Sequence, residues 1–234
     1  MRPATGDQEQ ALRDGFEGLA AAGLNVQAVL DASRVTGVLE GLDVARWPSL
    51  VLIGSTGTAL WSAMGDWRAR PDPIDSWCAQ ALARFRDALP VRGVFVFPSK
   101  TPVSMLALGR LAGWAHPTPL GLGMHPEHGL WVGYRGALLL DARFAERGLG
   151  GDESPCASCE GQPCVAACPV GAVQPGGVEL VTCFGQRLAE TPCATACGAR
   201  LACPVGDQSR YGAEQIAHHH EAANRLYRRH TAGS

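Results

Sequence analysis

Cysteine dominates the chemistry this chain could do. Eight of its nine cysteines fall between residues 156 and 203: Cys156, Cys159, Cys164, Cys168, Cys183, Cys193, Cys197 and Cys203. The first four follow the spacing C-x2-C-x4-C-x3-C-P, and the others are looser, with Cys203 again followed by a proline, Pro204. Four thiolates ligate one cubane iron–sulfur cluster, so eight suffice for two 4Fe–4S clusters. Close spacing brings three thiolates to one face of a cube, and a later Cys-Pro ends the turn and reaches across. Paired zinc sites would show two CxxC knuckles where this chain has one. Disulfides would suit an exported chain, but the opening stretch MRPATGDQEQ is polar and lacks an apolar signal core. Zinc and disulfides stay open as alternatives at this level.

The pattern resembles that of the bacterial two-cluster ferredoxins, C-x2-C-x2-C-x3-C-P, in which the fourth cysteine serves the other cluster. Here the middle gap of the first run is two residues longer. Carried over residue by residue, the resemblance implies one cluster on Cys156, Cys159, Cys164 and Cys203. The other would take Cys183, Cys193, Cys197 and Cys168.

A second stretch, His125 to Leu140, gathers His125, Pro126, His128, Gly129, Trp131, Tyr134, Arg135 and Gly136 before an apolar run. Glycines let backbone approach a ligand, aromatic rings give flat surfaces, and arginine binds carboxylate, amide or phosphate oxygens. This composition fits a binding loop for a large, partly polar ligand, and equally a packed loop with structural aromatics.

The H-P-x-x-G-x-W-x-x-x-R-G pattern resembles the CblC-type cobalamin-processing proteins. Its matching positions are His125, Pro126, Gly129, Trp131, Arg135 and Gly136, and Tyr134 lies among them. The segment Arg210-Tyr211-Gly212-Ala213-Glu214-Gln215 is similar to that family's R-Y-x-x-E-Q. The resemblance implies a nitroreductase-like α/β domain that reductively removes the upper ligand of cobalamin. The whole chain would be an α+β protein with a ferredoxin-like two-cluster subdomain inserted in that domain. Epoxyqueuosine reductases are also similar, since they couple a cobalamin-binding domain of this kind to two 4Fe–4S clusters. Their acidic proton donor has no counterpart in Pro98-Ser99-Lys100-Thr101-Pro102. The implied partners are cobalamin or another corrinoid and an electron-donor protein, and a nitroreductase-like pocket also admits a flavin. A plain ferredoxin-type electron carrier is the competing class.

The elements that must position these residues can be read from periodicity. Leu12, Phe16, Leu19 and Ala20 fall on one face of a helix over roughly 8–22, and a second amphipathic turn is expected at 26–30. Leu50 to Gly54 and Val94 to Phe97 read as buried strands, and Ala137 to Leu140 as a third. Cys78, Leu82, Phe85 and Leu89 define a helical face ended by Pro90, which makes Cys78 a core residue. A helix is expected over 103–111 and another from about 213, with His218, His219 and His220 on its solvated side. Glycines 148, 150 and 151 mark a boundary, giving an α/β domain over 1–148, the cluster subdomain over 149–206, and a helix over 207–234 returning to the first domain. A net charge of −2 argues against a nucleic-acid partner, and the absence of a long apolar run argues against a membrane, so a cytoplasmic protein is expected.

Overall fold

The apolar run at Leu50–Ile53 becomes the centre of a four-stranded antiparallel sheet, and its residues alternate between two apolar layers. The structure, a computed structural model, describes residues 3–39, 41–99, 103–189 and 191–232. Its chain divides into two compact units, Met1–Ala115 with Val132–Asp152, and His116–Trp131 with Glu153–Ser234.

The first unit contains α1 (Gly6–Ala21), β1 (Val26–Asp31), β2 (Ser49–Thr56), α2 (Ala59–Met64), α3 (Pro73–Ala88), β3 (Gly93–Phe97), α4 (Met105–Leu111) and β4 (Val132–Leu140). Strand order is β1-β2-β4-β3. Val29, Val51, Ile53, Leu138 and Leu140 face Leu12 and Leu19 of α1, Leu60 of α2 and Leu82 and Phe85 of α3. The intervening Ala28, Leu30, Leu50, Leu52, Ala137 and Leu139 face Leu108 of α4 and Trp114. With both sides covered, β2 is buried along its whole length. Thr5 opens α1 through a capping box with Gln8, which satisfies two otherwise orphaned N–H groups. Gly15 lets the ring of Phe85 lie against that helix, where a Cβ would come within 2.8 Å of it.

The stretch 26–30, expected as a helical turn, is instead strand β1, pairing Val26 with Gly54 and Leu30 with Leu50. A short apolar run does not distinguish the two by periodicity, and the open edge of β2 decides it. Strand β4 also starts earlier than the sequence suggests, at Val132, so Tyr134, Arg135 and Gly136 are strand residues rather than loop. Ile53 pairs with Gly136 and Gly54 with Tyr134, which leaves Arg135 as the extra residue of a β-bulge. Cys78 lies buried in α3 within the core, as its periodicity requires, and burial pushes its thiol up to about 11.

The second unit contains α5 (Pro163–Ala166), the two-residue strands β5 (Val173–Gln174) and β6 (Gly177–Val178), α6 (Leu180–Leu188), α7 (Gly198–Leu201) and α8 (Ala213–Ala232). Its makeup differs from the expected 149–206. Residues 116–131 join it because Met124 and Leu130 pack with Cys203, and Trp131 packs with Tyr211 and Ile216. Helix α8 belongs to it as well, and packs on α6. The rings of Phe184 and Tyr227 stack there at 4.0 Å. Asn224 donates to the carbonyls of Arg187 and Ala194. The α8 histidines are not a solvated face, since His220 is buried. Among the described residues no helix is long and apolar enough to cross a membrane.

Candidate metal centre

The eight clustered cysteines separate into two groups of four in the second unit. Cys156, Cys159, Cys164 and Cys203 line one small cavity, with Leu120, Met124 and Val205 around them. Cys168, Cys183, Cys193 and Cys197 line a larger one of about 480 Å³. All nine thiols of the chain are free. These are the groups that the ferredoxin resemblance implies, with Cys168 and Cys203 exchanged between runs.

Local structure explains how uneven spacing reaches this result. In the widened gap between Cys159 and Cys164, Gly161 and Gln162 both take left-handed backbone, φ 70° and 38°. The pair folds the two additional residues into a turn, and Pro163 then starts α5 at a position where no N–H is needed. Helix α6 places Cys183, and the Glu179 carboxylate caps it by accepting from the N–H groups of Val181 and Thr182. Cys197 caps α7, its Sγ accepting from the Arg200 N–H at 3.4 Å.

The electrostatics mark each group as a unit. Burial, followed by the neighbouring Cys203, Cys159 and Cys164, raises the Cys156 thiol above its ordinary value. Burial raises Cys183, with Arg187 opposing and Cys197, Cys168 and Cys193 adding. Cys193 is raised by burial and by Cys197 and Cys168. For Cys168, burial acts upward, but hydrogen bonds from the backbone of Val170, Val173, Ala172 and Gly171 outweigh it and lower the thiol. A bound metal's positive charge offsets that mutual opposition and lets neighbouring thiols ionise together. Among the described residues no three Cys, His, Asp or Glu side chains close on a position for a single ion.

The second cavity has a further feature that fits an anionic cluster. Arg187 and Arg200 line it, and neither forms an ion pair with a carboxylate among the described residues. The Nε groups of both are buried without a hydrogen-bond partner. Buried cationic groups are costly unless an anion faces them. His220 lines the same cavity, and burial, then Arg187, lower it to about 4 against a hydrogen bond with the backbone of Cys193. Sequence reading missed Arg187, Arg200 and His220. A signal was present: Arg187 follows Cys183 by four residues and Arg200 follows Cys197 by three, the spacings that share a helix face.

The residues expected to line a corrin pocket are divided between the two units. His125, Pro126, Gly129 and Trp131 lie in the second unit, and Tyr134, Arg135 and Gly136 in the first. His125 is buried, and its Nδ1 accepts from the N–H groups of Glu127 and His128, both at 3.1 Å. That puts its proton on Nε2. Burial, then His128 and His116, lower it to about 4. His128 Nδ1 is 3.0 Å from the Ser209 hydroxyl. A Cβ on Gly129 would strike the Val205 carbonyl. Trp131 has no exposed surface. Its ring meets Tyr211 edge-on at 5.4 Å, and the Arg200 guanidinium lies 4.2 Å from its centroid. The two stretches that resemble CblC thus pack on each other, around Trp131 and Tyr211. In the first unit, Tyr134 stacks on Trp114 at 6.4 Å and burial pushes its hydroxyl up to about 12. Arg135 donates from Nε to the Ser55 hydroxyl. Gly136 is packed by Leu82. Lys100, Thr101 and Pro102 lie outside the described residues, so the stretch examined for an acidic donor is seen only at Pro98 and Ser99.

Comparison with solved structures places the fold. A Bacillus subtilis epoxyqueuosine reductase matches at TM-score 0.54 and 15% identity, over 88% of this chain and 68% of that one. The Caenorhabditis elegans B12-trafficking protein CblC matches at TM-score 0.54 and 14% identity, over 92% of each chain. This chain has the fold they share. An epoxyqueuosine reductase solved with a tRNA-Tyr stem loop matches at TM-score 0.53 and 15% identity, over 90% of this chain and 69% of that one. That neighbour carries a tRNA stem loop, so the expectation that a nucleic-acid partner is unlikely is not supported. Neither a family model nor a curated protein sequence matches the chain.

Proposed function

We propose that this chain is an iron–sulfur reductase. Cys156, Cys159, Cys164 and Cys203 hold one 4Fe–4S cluster, and Cys168, Cys183, Cys193 and Cys197 hold a second. The observation that carries this reading is the sorting of eight free thiols into two groups of four, one of them facing arginines that lack a carboxylate partner. When bound, such clusters supply single electrons at potentials that span about −700 to +450 mV across proteins. The chain's own residues hold the thiolates, direct backbone N–H groups at Cys168 and Cys197, and surround the sites with apolar side chains.

The substrate we propose is a corrinoid, with an electron-donor protein upstream. An electron added to the cobalt of the corrinoid weakens its upper axial bond, and the ligand leaves. Support for this choice comes from the fold, which matches CblC over nearly the full length of both chains. His125, Gly129 and Trp131 are occupied within the cysteine unit, so no corrin contact is assigned to them. A second reading, reduction of a modified nucleoside in tRNA, is favoured by the match to the epoxyqueuosine reductase bound to a stem loop.

The deciding experiment is anaerobic purification, iron and sulfide analysis, and titration with cobalamin followed by visible spectra. About eight irons and a change to the base-off corrin spectrum support the corrinoid reductase. Iron without a corrin change, together with turnover of an epoxyqueuosine stem loop, moves the chain to the tRNA reading. Iron with neither leaves an electron carrier, and a flavin spectrum in the purified protein would redirect the substrate search. Zinc in place of iron overturns the redox function.

A further inference from the structure

The two groups of thiols share a ligand type but not an electrostatic setting. Two arginines, Arg187 and Arg200, line the cavity of Cys168, Cys183, Cys193 and Cys197. Arg187 extends along α6 over the Phe184 ring at 4.6 Å and donates to the His220 carbonyl. Arg200 donates to the Leu130 carbonyl at 2.6 Å and supplies the N–H that meets the Cys197 sulfur. Backbone N–H groups also converge on Cys168.

The cation that bears on the first group is in a different setting. Arg210 bears on Cys203, but it is ion-paired with Asp207 at 2.6 Å and its side chain is 36% exposed. Its charge is offset by the carboxylate and screened by solvent. The Nε of Arg210 is buried without a hydrogen-bond partner, as are those of Arg187 and Arg200, so the difference lies in the carboxylate, which neither Arg187 nor Arg200 has among the described residues.

Reduction adds one negative charge to a core that four thiolates already make anionic. Uncompensated positive charge and hydrogen bonds to sulfur both favour the reduced state, and these influences set cluster potential. We infer that the cluster on Cys168, Cys183, Cys193 and Cys197 is the more easily reduced of the two, with Arg187 as the residue that raises its potential. The inference rests on the two-cluster reading above. The first electron to enter the protein therefore comes to rest on this cluster, and the Cys156 cluster is reduced second. By Coulomb's law, with an effective dielectric near 20 and a separation of about 8 to 12 Å, one guanidinium changes the reduction constant about 10- to 30-fold. Tenfold is about 59 mV for a one-electron couple.

The test is a reductive titration of the iron-loaded full chain with dithionite and mediators, sampled by electron paramagnetic resonance. Cys183→Ser and Cys193→Ser identify the second cluster as the signal lost or altered. In the parent protein that signal should develop at the higher potential. Arg187→Gln should lower its reduction constant about tenfold or more and leave the other signal in place, and Arg187→Lys should recover most of the change. The inference is overturned if the Cys183 signal develops at the same or lower potential than the other. It is also overturned if Arg187→Gln moves neither signal or moves both alike. Should Arg187→Gln fail to load iron, the order of potentials in the parent and in Arg187→Lys decides. Iron near four or zero per chain in the parent would defeat the two-cluster reading itself, a failure that the iron assay separates from an unexpected order of potentials.

Discussion

Trp131 should be a structural residue of the cysteine unit, and Trp131→Ala tests that against a role in ligand binding. The ring is fully buried, packs with Tyr211 and Ile216, and lies beneath the Arg200 guanidinium. Truncating a buried Trp to Ala costs about 3 to 5 kcal/mol through lost burial and the cavity left behind. The stacked guanidinium adds roughly 1 to 2 kcal/mol where it is desolvated, and part of that is already within the first figure. Arg200 also donates its N–H to Cys197, so the damage should reach the second group of thiols. The assay is urea unfolding of the iron-loaded protein under anaerobic conditions, followed by visible absorbance of the clusters. With a slope of about 2 kcal/mol per molar urea, the midpoint for bleaching should fall by roughly 1.5 to 2.5 M, and Trp131→Phe should lose less than half of that. If Trp131→Ala bleaches within about 0.3 M of the parent but binds corrinoid more weakly, the structural assignment is wrong and the ring faces a ligand.

Three further outcomes follow from the same geometry. Cys164→Ser and Cys193→Ser should each lose about half of the bound iron, whereas Cys78→Ser in α3 should lose none, as iron analysis of the purified variants will show. His125 has a folded pKa near 4, below the ordinary 6.5, because burial disfavours its cation. Its neutral form therefore supports the fold fully above about pH 6.5, and that support is lost as pH falls towards 4. His125→Asn, whose side-chain oxygen can accept the same turn N–H groups, should flatten this part of a stability-against-pH profile. Gly129→Ala should prevent iron loading or solubility, since φ is +60° and the new Cβ meets the Val205 carbonyl. Gly161→Ala, at φ +70° with open space around it, should cost only about 1 kcal/mol in an unfolding titration.

The sheet and most helices were legible because each apolar run has length or flanking punctuation that selects one element. Leu50–Ile53 is bounded by Pro48 and by Gly54 and Gly57 and became a buried strand, while Cys78, Leu82 and Phe85 recur at helical spacing and became the inner face of α3. The stretch 26–30 was not legible, since five residues fit either period and pairing with β2 is a tertiary choice. The histidines of α8 were misread for a related reason. A helix exposes or buries a residue according to its partner, and α6 was not visible as that partner from 213–232 alone.

The glycine- and aromatic-rich stretch at 125–136 shows where composition stops informing. Gly, Trp and His suit close approach to a ligand, but they suit close approach to another backbone equally. Here the approaching chain is Val205–Tyr211: Gly129 admits the Val205 carbonyl, His128 meets Ser209, and Trp131 meets Tyr211. Over residues 125–131 the matched positions are therefore also packing positions against 205–211 on this chain. These contacts hold residues 116–131 to the segment that carries Cys203, a thiol of the first group. A substitution at 125–131 or at 210–215 should register first as lost iron, whereas one at Tyr134 or Arg135, in the sheet unit, should leave the iron content unchanged.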